Sequence, residues 1–209
     1  MKKSLSFTLL GTALAAATPD ARALDWRGYY LDLDAGGVMQ QELKIKSDVT
    51  STSGKMKFGT GFRGDIGFGG RFSDSFQAGI LTGVLWNSID KIQSDSVSGS
   101  SLMQVPVMAN VTYRLPLEGK WIPYVSGAAG GVMSVIDVKS SLATMRSSDF
   151  VFAYQAEVGV KYVASKSIEW GLSYRFLSTL DHDWSDAGVT LKTDGSISHS
   201  LVAIFTWKF

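Results

Sequence analysis

The chain has 209 residues, with 20 Lys plus Arg against 19 Asp plus Glu and no cysteine. That balance supplies no basic stripe for nucleic acid, and the lack of cysteine excludes disulfides, thiolate metal centres and cysteine nucleophiles together. No apolar run beyond the N-terminus reaches the ~18 residues of a membrane helix, so a membrane protein of this sequence has to be a closed barrel.

Lys2 and Lys3, the apolar stretch Leu5 to Ala17 and the small-x-small triplet Ala21-Arg22-Ala23 read as a cleaved export signal over residues 1–23. The mature domain is then 24–209. Cutting there removes Lys2, Lys3, Arg22 and Asp20, and leaves 17 basic against 18 acidic residues from the 20 and 19 of the whole chain.

Strands are expected wherever apolar residues recur every second position. The first is Trp26 to Val38, with Tyr29, Leu31, Leu33 and Ala35 on one face. Met39 to Lys55 is polar and Ser/Thr-rich and reads as a long loop. The second strand, Met56 to Phe72, sets Phe62, Gly64, Ile66 and Phe68 against Arg63, Asp65, Gly67, Gly69 and Arg71. Ser73–Ser75 turns the chain into the third, Phe76 to Asn87. A long loop, Ser88 to Ser101, leads to the fourth strand, Leu102 to Leu115, and a short turn, Pro116 to Lys120, to the fifth. In that fifth strand, Trp121 to Val135, glycine and alanine leave the two faces unassigned. Ile136 to Asp149 is a third long loop, and Phe150 to Val163 the sixth strand. After a turn at 164–166 comes the seventh, Ser167 to Ser178. Thr179 to Gly195 is the last long loop, before the closing strand Ser196 to Phe209.

Long and short connections alternate, which places every long one at the same end. The reading is all-β: an eight-stranded antiparallel up-and-down transmembrane β-barrel. The polar faces collect Asp32, Asp34, Arg63, Asp65, Arg71, Arg114, Glu157, Lys161, Glu169 and Arg175, while the opposite faces carry no charge across the strand centres. A soluble barrel would reverse that distribution. In so narrow a lumen these charges are expected to pair into a structural plug with no open pore, and glycines at 59, 61, 67 and 69 to make room for the long Arg and Glu side chains. Aromatic residues gather at the strand ends, as in interfacial girdles, with Trp184 outside the scheme.

The closing strand ends on Leu201, Phe205, Trp207 and Phe209, a pattern that resembles the assembly signal of bacterial outer-membrane barrels. Gly28-Tyr29-Tyr30, Gln104-Val-Pro-Val107 with Asn110, Tyr113-Arg114, Pro123 to Gly131, Phe152-Ala-Tyr-Gln155 and Tyr174-Arg175-Phe176 resemble, in order and spacing, the small outer-membrane barrels of the opacity-protein and surface-antigen type. The resemblance implies residence in the outer membrane and an adhesin- or antigen-like surface role, with no catalytic residue, cofactor or metal. The implied partners are outer-membrane lipids and lipopolysaccharide, the barrel-assembly machinery and a surface ligand of unknown identity. It also implies a bulge at Pro106, which would otherwise interrupt a central strand.

Other motifs have contexts that oppose their literal reading. Gly59-Thr-Gly-Phe-Arg-Gly64 matches a phosphate-binding G-x-G-x-x-G by letter, but it lies inside a strand with no helix after it. Asn110-Val-Thr112 is a glycosylation sequon in a membrane strand. His199, at the outer end of the last strand, sends Ser198 and Ser200 to the opposite face. His182 lies in an acidic loop with Asp181, Asp183 and Asp186. The alternative function is a lipid A-modifying enzyme using one of these histidines. Lys44, Lys46, Lys91, Lys139 and Arg146 are loop cations within reach of lipopolysaccharide phosphates.

Overall fold

The computed structural model describes residues 27–47, 53–92, 95–139, 144–186 and 189–209. The expected export signal, its cut before Leu24 and Trp26 lie outside them. Twelve strands follow one another: β1 (Tyr29–Gln40), β2 (Leu43–Ser47), β3 (Ser53–Phe58), β4 (Thr60–Arg71), β5 (Phe76–Ile92), β6 (Asp95–Arg114), β7 (Trp121–Lys139), β8 (Thr144–Val163), β9 (Ile168–Thr179), β10 (His182–Asp186), β11 (Val189–Thr193) and β12 (Ile197–Lys208).

Eight of them, β1, β4, β5, β6, β7, β8, β9 and β12, pair antiparallel in chain order and close on themselves. Closure is made by β12 on β1, in register from Tyr30↔Lys208 to Gln40↔Ser198. It is finished by two backbone bonds, Tyr29 N–H to the Phe209 carbonyl at 2.8 Å and Phe209 N–H to the Tyr29 carbonyl at 3.1 Å. A closed ring leaves no strand edge unsatisfied, the condition for crossing lipid.

Alternation sorts the side chains as the period of two requires. Ile66, Phe68, Ile80, Val111, Leu172 and Leu201 stand exposed on the outside, while Arg63, Asp65, Lys161, Glu169 and Arg175 are buried within. Ring pairs strengthen the turn end: Trp121–Tyr162 at 4.9 Å, Trp170–Phe205 at 4.7 Å and Phe76–Tyr113 at 5.0 Å. In β7 the face left open by the sequence is settled, with Tyr124, Ala128 and Val132 inward and Val125 and Met133 outward.

Four expectations are corrected. The expected long loops are largely strand: β5 to β8 run on past the barrel, and β2, β3, β10 and β11 join them in one continuous sheet. Leu43, Met56, Ile89, Leu102, Ile136 and Trp184 form an apolar cluster inside this extension, which is what the isolated Trp184 was for. Those apolar residues are too sparse along the chain to give a periodic signal, and only pairing unites them. Pro106 makes no bulge: Pro106 stands opposite Val132, and β5–β6 keeps one register across it (Thr82↔Val107, Leu85↔Gln104), the shift falling instead at Ile89/Lys91. Of the four glycines expected to make room for Arg or Glu, Gly69 spares room for Tyr30, Gly61 for Asn87 and Gly59 for Ser88 and Asp90, while Gly67 lies beside Asp32. A Cβ on Gly69 would lie 2.7 Å from the Tyr30 hydroxyl, and one on Gly61 would lie 2.4 Å from the Asn87 amide. The fourth correction concerns Arg71 and belongs to the lumen.

Candidate functional site

The lumen is filled in layers, each supplied by strands distant in sequence. At its centre Arg175 spans three carboxylates: Asp34 at 2.5 Å, Asp65 at 2.6 Å and Glu157 at 3.0 Å. Arg63 donates to Asp65 at 2.7 Å and to the Gln155 side-chain carbonyl at 2.5 Å, and the Tyr124 hydroxyl donates to Glu157 at 2.6 Å. Toward the turns, Lys161 holds Asp32 at 3.1 Å and the Thr206 hydroxyl at 2.7 Å, and Thr206 donates in turn to Asp32. At the mouth, Arg114 and Lys208 share Glu169 at 2.8 Å and 2.7 Å.

Nine of the ten predicted network residues therefore meet. Arg71 stands at the rim beside them: Arg114 and Glu169 act on its charge, but its close ion-pair contact is Asp74 of its own turn, at 3.9 Å. Lys208 joins the network instead, a residue one position from the terminus, where strand phase says little about reach. The network still balances, five bases (Arg63, Arg114, Lys161, Arg175, Lys208) against five acids (Asp32, Asp34, Asp65, Glu157, Glu169). Tyr30, Asp32, Asp34, Tyr124, Glu157, Lys161 and Arg175 surround a cavity of about 30 Å³, room for one or two waters.

Above the charges lies an apolar belt that includes Val38, Leu85, Met108, Val132 and Leu177. Above that is a polar ring, where Gln104 donates to Ser134 and Ser196, both at 3.3 Å. His182 belongs to this ring. Its Nε2 lies 3.1 Å from the Thr179 hydroxyl, its Nδ1 3.3 Å from the Asp149 carboxylate, and its ring stacks on Trp184 at 5.0 Å. Burial pushes the imidazole pKa down, opposed by Asp149 and Asp181. Carboxylate, imidazole and hydroxyl in that order form the relay of a nucleophile. The Thr179 oxygen, however, already accepts the Ser196 N–H at 2.9 Å, lies 3.0 Å from the Ser196 hydroxyl, and is buried. This arrangement latches the β9–β10 corner.

His199 faces outward at the loop end. Its Nε2 meets the Gln41 amide nitrogen at 2.8 Å and its Nδ1 the Tyr174 hydroxyl at 2.6 Å. Ser198 and Ser200 are buried on the other face, as the alternation requires. Asp181 accepts the Gly195 N–H at 2.7 Å; the side chains of Asp183 and Asp186 lie outside the described residues. Gly59 to Gly64 and Asn110 are strand or strand-edge residues, with no helix beside them. Of the terminal pattern, Leu201, Trp207 and Phe209 are exposed outward, and Phe205 is half-buried against Trp170. Lys44, Lys91, Lys139 and Arg146 are exposed on the extension; the Lys46 side chain lies outside the described residues.

Solved structures share this architecture at low identity. Neisserial surface protein A is 16% identical, with 88% of this chain and 99% of that one covered at a TM-score of 0.58. OprG of Pseudomonas aeruginosa is 13% identical, covering 88% and 97% at 0.65, and the outer membrane protease OmpT of Escherichia coli 8% identical, covering 90% and 99% at 0.53. At such identities the likeness is one of fold alone. Comparison with curated proteins finds no match. The outer membrane protein beta-barrel domain family, in contrast, matches residues 6–209, almost the entire chain, and the protein belongs to that family.

Proposed function

We propose that the protein is a structural and surface-interaction barrel of the bacterial outer membrane, exported through a cleaved signal peptide, with an adhesin- or antigen-like exterior and a lumen closed to solutes. The observation that carries this reading is the division of labour along the axis. The span is plugged by paired charges and the apolar belt, while β2, β3, β10 and β11 spend their residues on a folded platform beyond it. Such a platform offers a rigid surface, and rigid surfaces bind at low entropic cost. The name Neisserial surface protein A describes a surface protein of the same fold.

Two measurements test it. A cysteine-free chain allows single cysteines to be placed at will: Arg146→Cys on the extension should react with an impermeant maleimide on intact cells, and Glu118→Cys in a turn should not. Refolded protein in planar bilayers should give no stable conductance. Labelling of Glu118→Cys alone, or a persistent open channel, would end the proposal.

The Asp149–His182–Thr179 order favours one second reading, a lipid A-modifying enzyme. It requires lipid A to change mass on overexpression and to revert with His182→Ala; an unchanged mass spectrum removes it.

A further inference from the structure

On the external extension, lysines face lysines. Lys44 of β2 stands directly opposite Lys55 of β3, and Lys57 of β3 directly opposite Lys91 of β5. One strand further, Lys46 of β2 stands opposite Lys192 of β11, which on its other side stands opposite Asp183 of β10. Leu43 and Met56 belong to the apolar cluster, and Ile92 packs against it beyond the register shift at Ile89/Lys91, which sends their immediate neighbours Lys44, Lys55, Lys57 and Lys91 to the outer wall, where all four are exposed. Directly opposed like charges weaken a sheet, and here the rungs Lys44–Lys55 and Lys57–Lys91 follow one another across three adjacent strands, a span of roughly 10 Å at the spacing of a sheet. Among the described residues one carboxylate answers them: Glu42, 3.0 Å from Lys57 and 3.6 Å from Lys55. Lys44 and Lys91 have no acid partner among the described residues.

The stripe lies on the side wall of the barrel, continuous with the lipid-facing strand faces. Trp86 and Phe62 are paired, exposed aromatics of the outer girdle, and Lys91 is five residues beyond Trp86 on β5, roughly 16 Å along the strand. Aromatic rings mark the level of the lipid interface, so the lysines sit at and above the headgroups of the outer leaflet.

We infer that Lys44, Lys55, Lys57 and Lys91 form a binding site for the phosphate groups of lipopolysaccharide packed against the barrel wall. A phosphate between two opposed ammonium groups turns a repulsive rung into an attractive one, and several phosphates on one glycolipid engage both rungs at once. A soluble polyanion would be met more readily on the apex than on a wall flanked by lipid. The inference rests on the loop end being external, which the maleimide labelling tests separately.

The experiment uses the full mature chain refolded in detergent, titrated with lipopolysaccharide and with the same material after chemical dephosphorylation. Wild type should bind the phosphorylated form on the order of a hundredfold more tightly, as expected for several lysines at a charged lipid surface. The variant Lys44→Gln/Lys55→Gln/Lys57→Gln/Lys91→Gln should lose that preference while keeping its heat-shifted gel mobility, and Lys120→Gln/Lys166→Gln, in the opposite turns, should keep it. Equal binding by the quadruple variant and wild type overturns the inference. So does full displacement of lipopolysaccharide by equimolar inositol hexakisphosphate, which would make the stripe a site for soluble polyanions.

Discussion

Replacing Arg175 by Met is the sharpest test of the plugged lumen. The guanidinium contacts Asp34, Asp65 and Glu157 at 2.5, 2.6 and 3.0 Å, and none of the four side chains is more than 8% exposed. Its removal turns two guanidiniums against three carboxylates into one against three. Asp65 keeps Arg63 at 2.7 Å and Glu157 keeps the Tyr124 hydroxyl at 2.6 Å, but Asp34 loses its guanidinium. Breaking a buried pair from one side costs about 3–5 kcal/mol, because a charge is left unanswered in a low-dielectric space. The assay is urea unfolding in lipid vesicles, followed by the fluorescence of the chain's six tryptophans and by gel mobility without heating. The companion variant Arg175→Met/Asp34→Asn/Glu157→Gln removes the stranded charges and keeps Arg63–Asp65, so it should recover most of the loss. If the single variant unfolds at the wild-type midpoint, or the triple variant is no more stable than the single one, the network is not what holds the lumen closed.

Three further outcomes follow from the geometry. Ile80→Arg, on an outward mid-strand position, should cost about 2–4 kcal/mol in vesicles, whereas Ser165→Arg in a turn should cost little; equal effects would mean that the outer face is not in lipid. Deleting Phe209 removes both backbone bonds to Tyr29 and the ring contact with Trp207 at 5.3 Å, so membrane insertion in cells should fall far more than on deleting Ser165. His182 is held below its ordinary value of 6.5 by burial, so the folded state binds fewer protons than the unfolded one as pH drops below 6.5. The stability of the extension around β10 should therefore be full above that pH and decline beneath it, a slope that hydrogen exchange at β10 should detect in wild type and miss in His182→Gln.

Much of this was legible in the sequence because lipid and a wet, crowded lumen are such different solvents. A strand between them must alternate, and Ile66 beside Asp65, or Leu172 beside Ser173, already states which side is which. The count of eight, the single end for all long connections and nine members of the lumen network follow from that contrast. What could not be read was which charge meets which. Arg175 and Asp34 are 141 residues apart, and Arg63 and Gln155 92 apart; strand tilt and ring closure, not local sequence, set their depth in the barrel. The same holds beyond the membrane. There the apolar residues number one or two per strand, too few for a period, and Leu43, Met56, Ile136 and Trp184 become a core only once four short strands are paired onto the ends of the barrel. The opposed lysines are likewise invisible until register is known: Lys44 and Lys55 are ordinary loop charges in the chain, and a rung of like charge in the sheet.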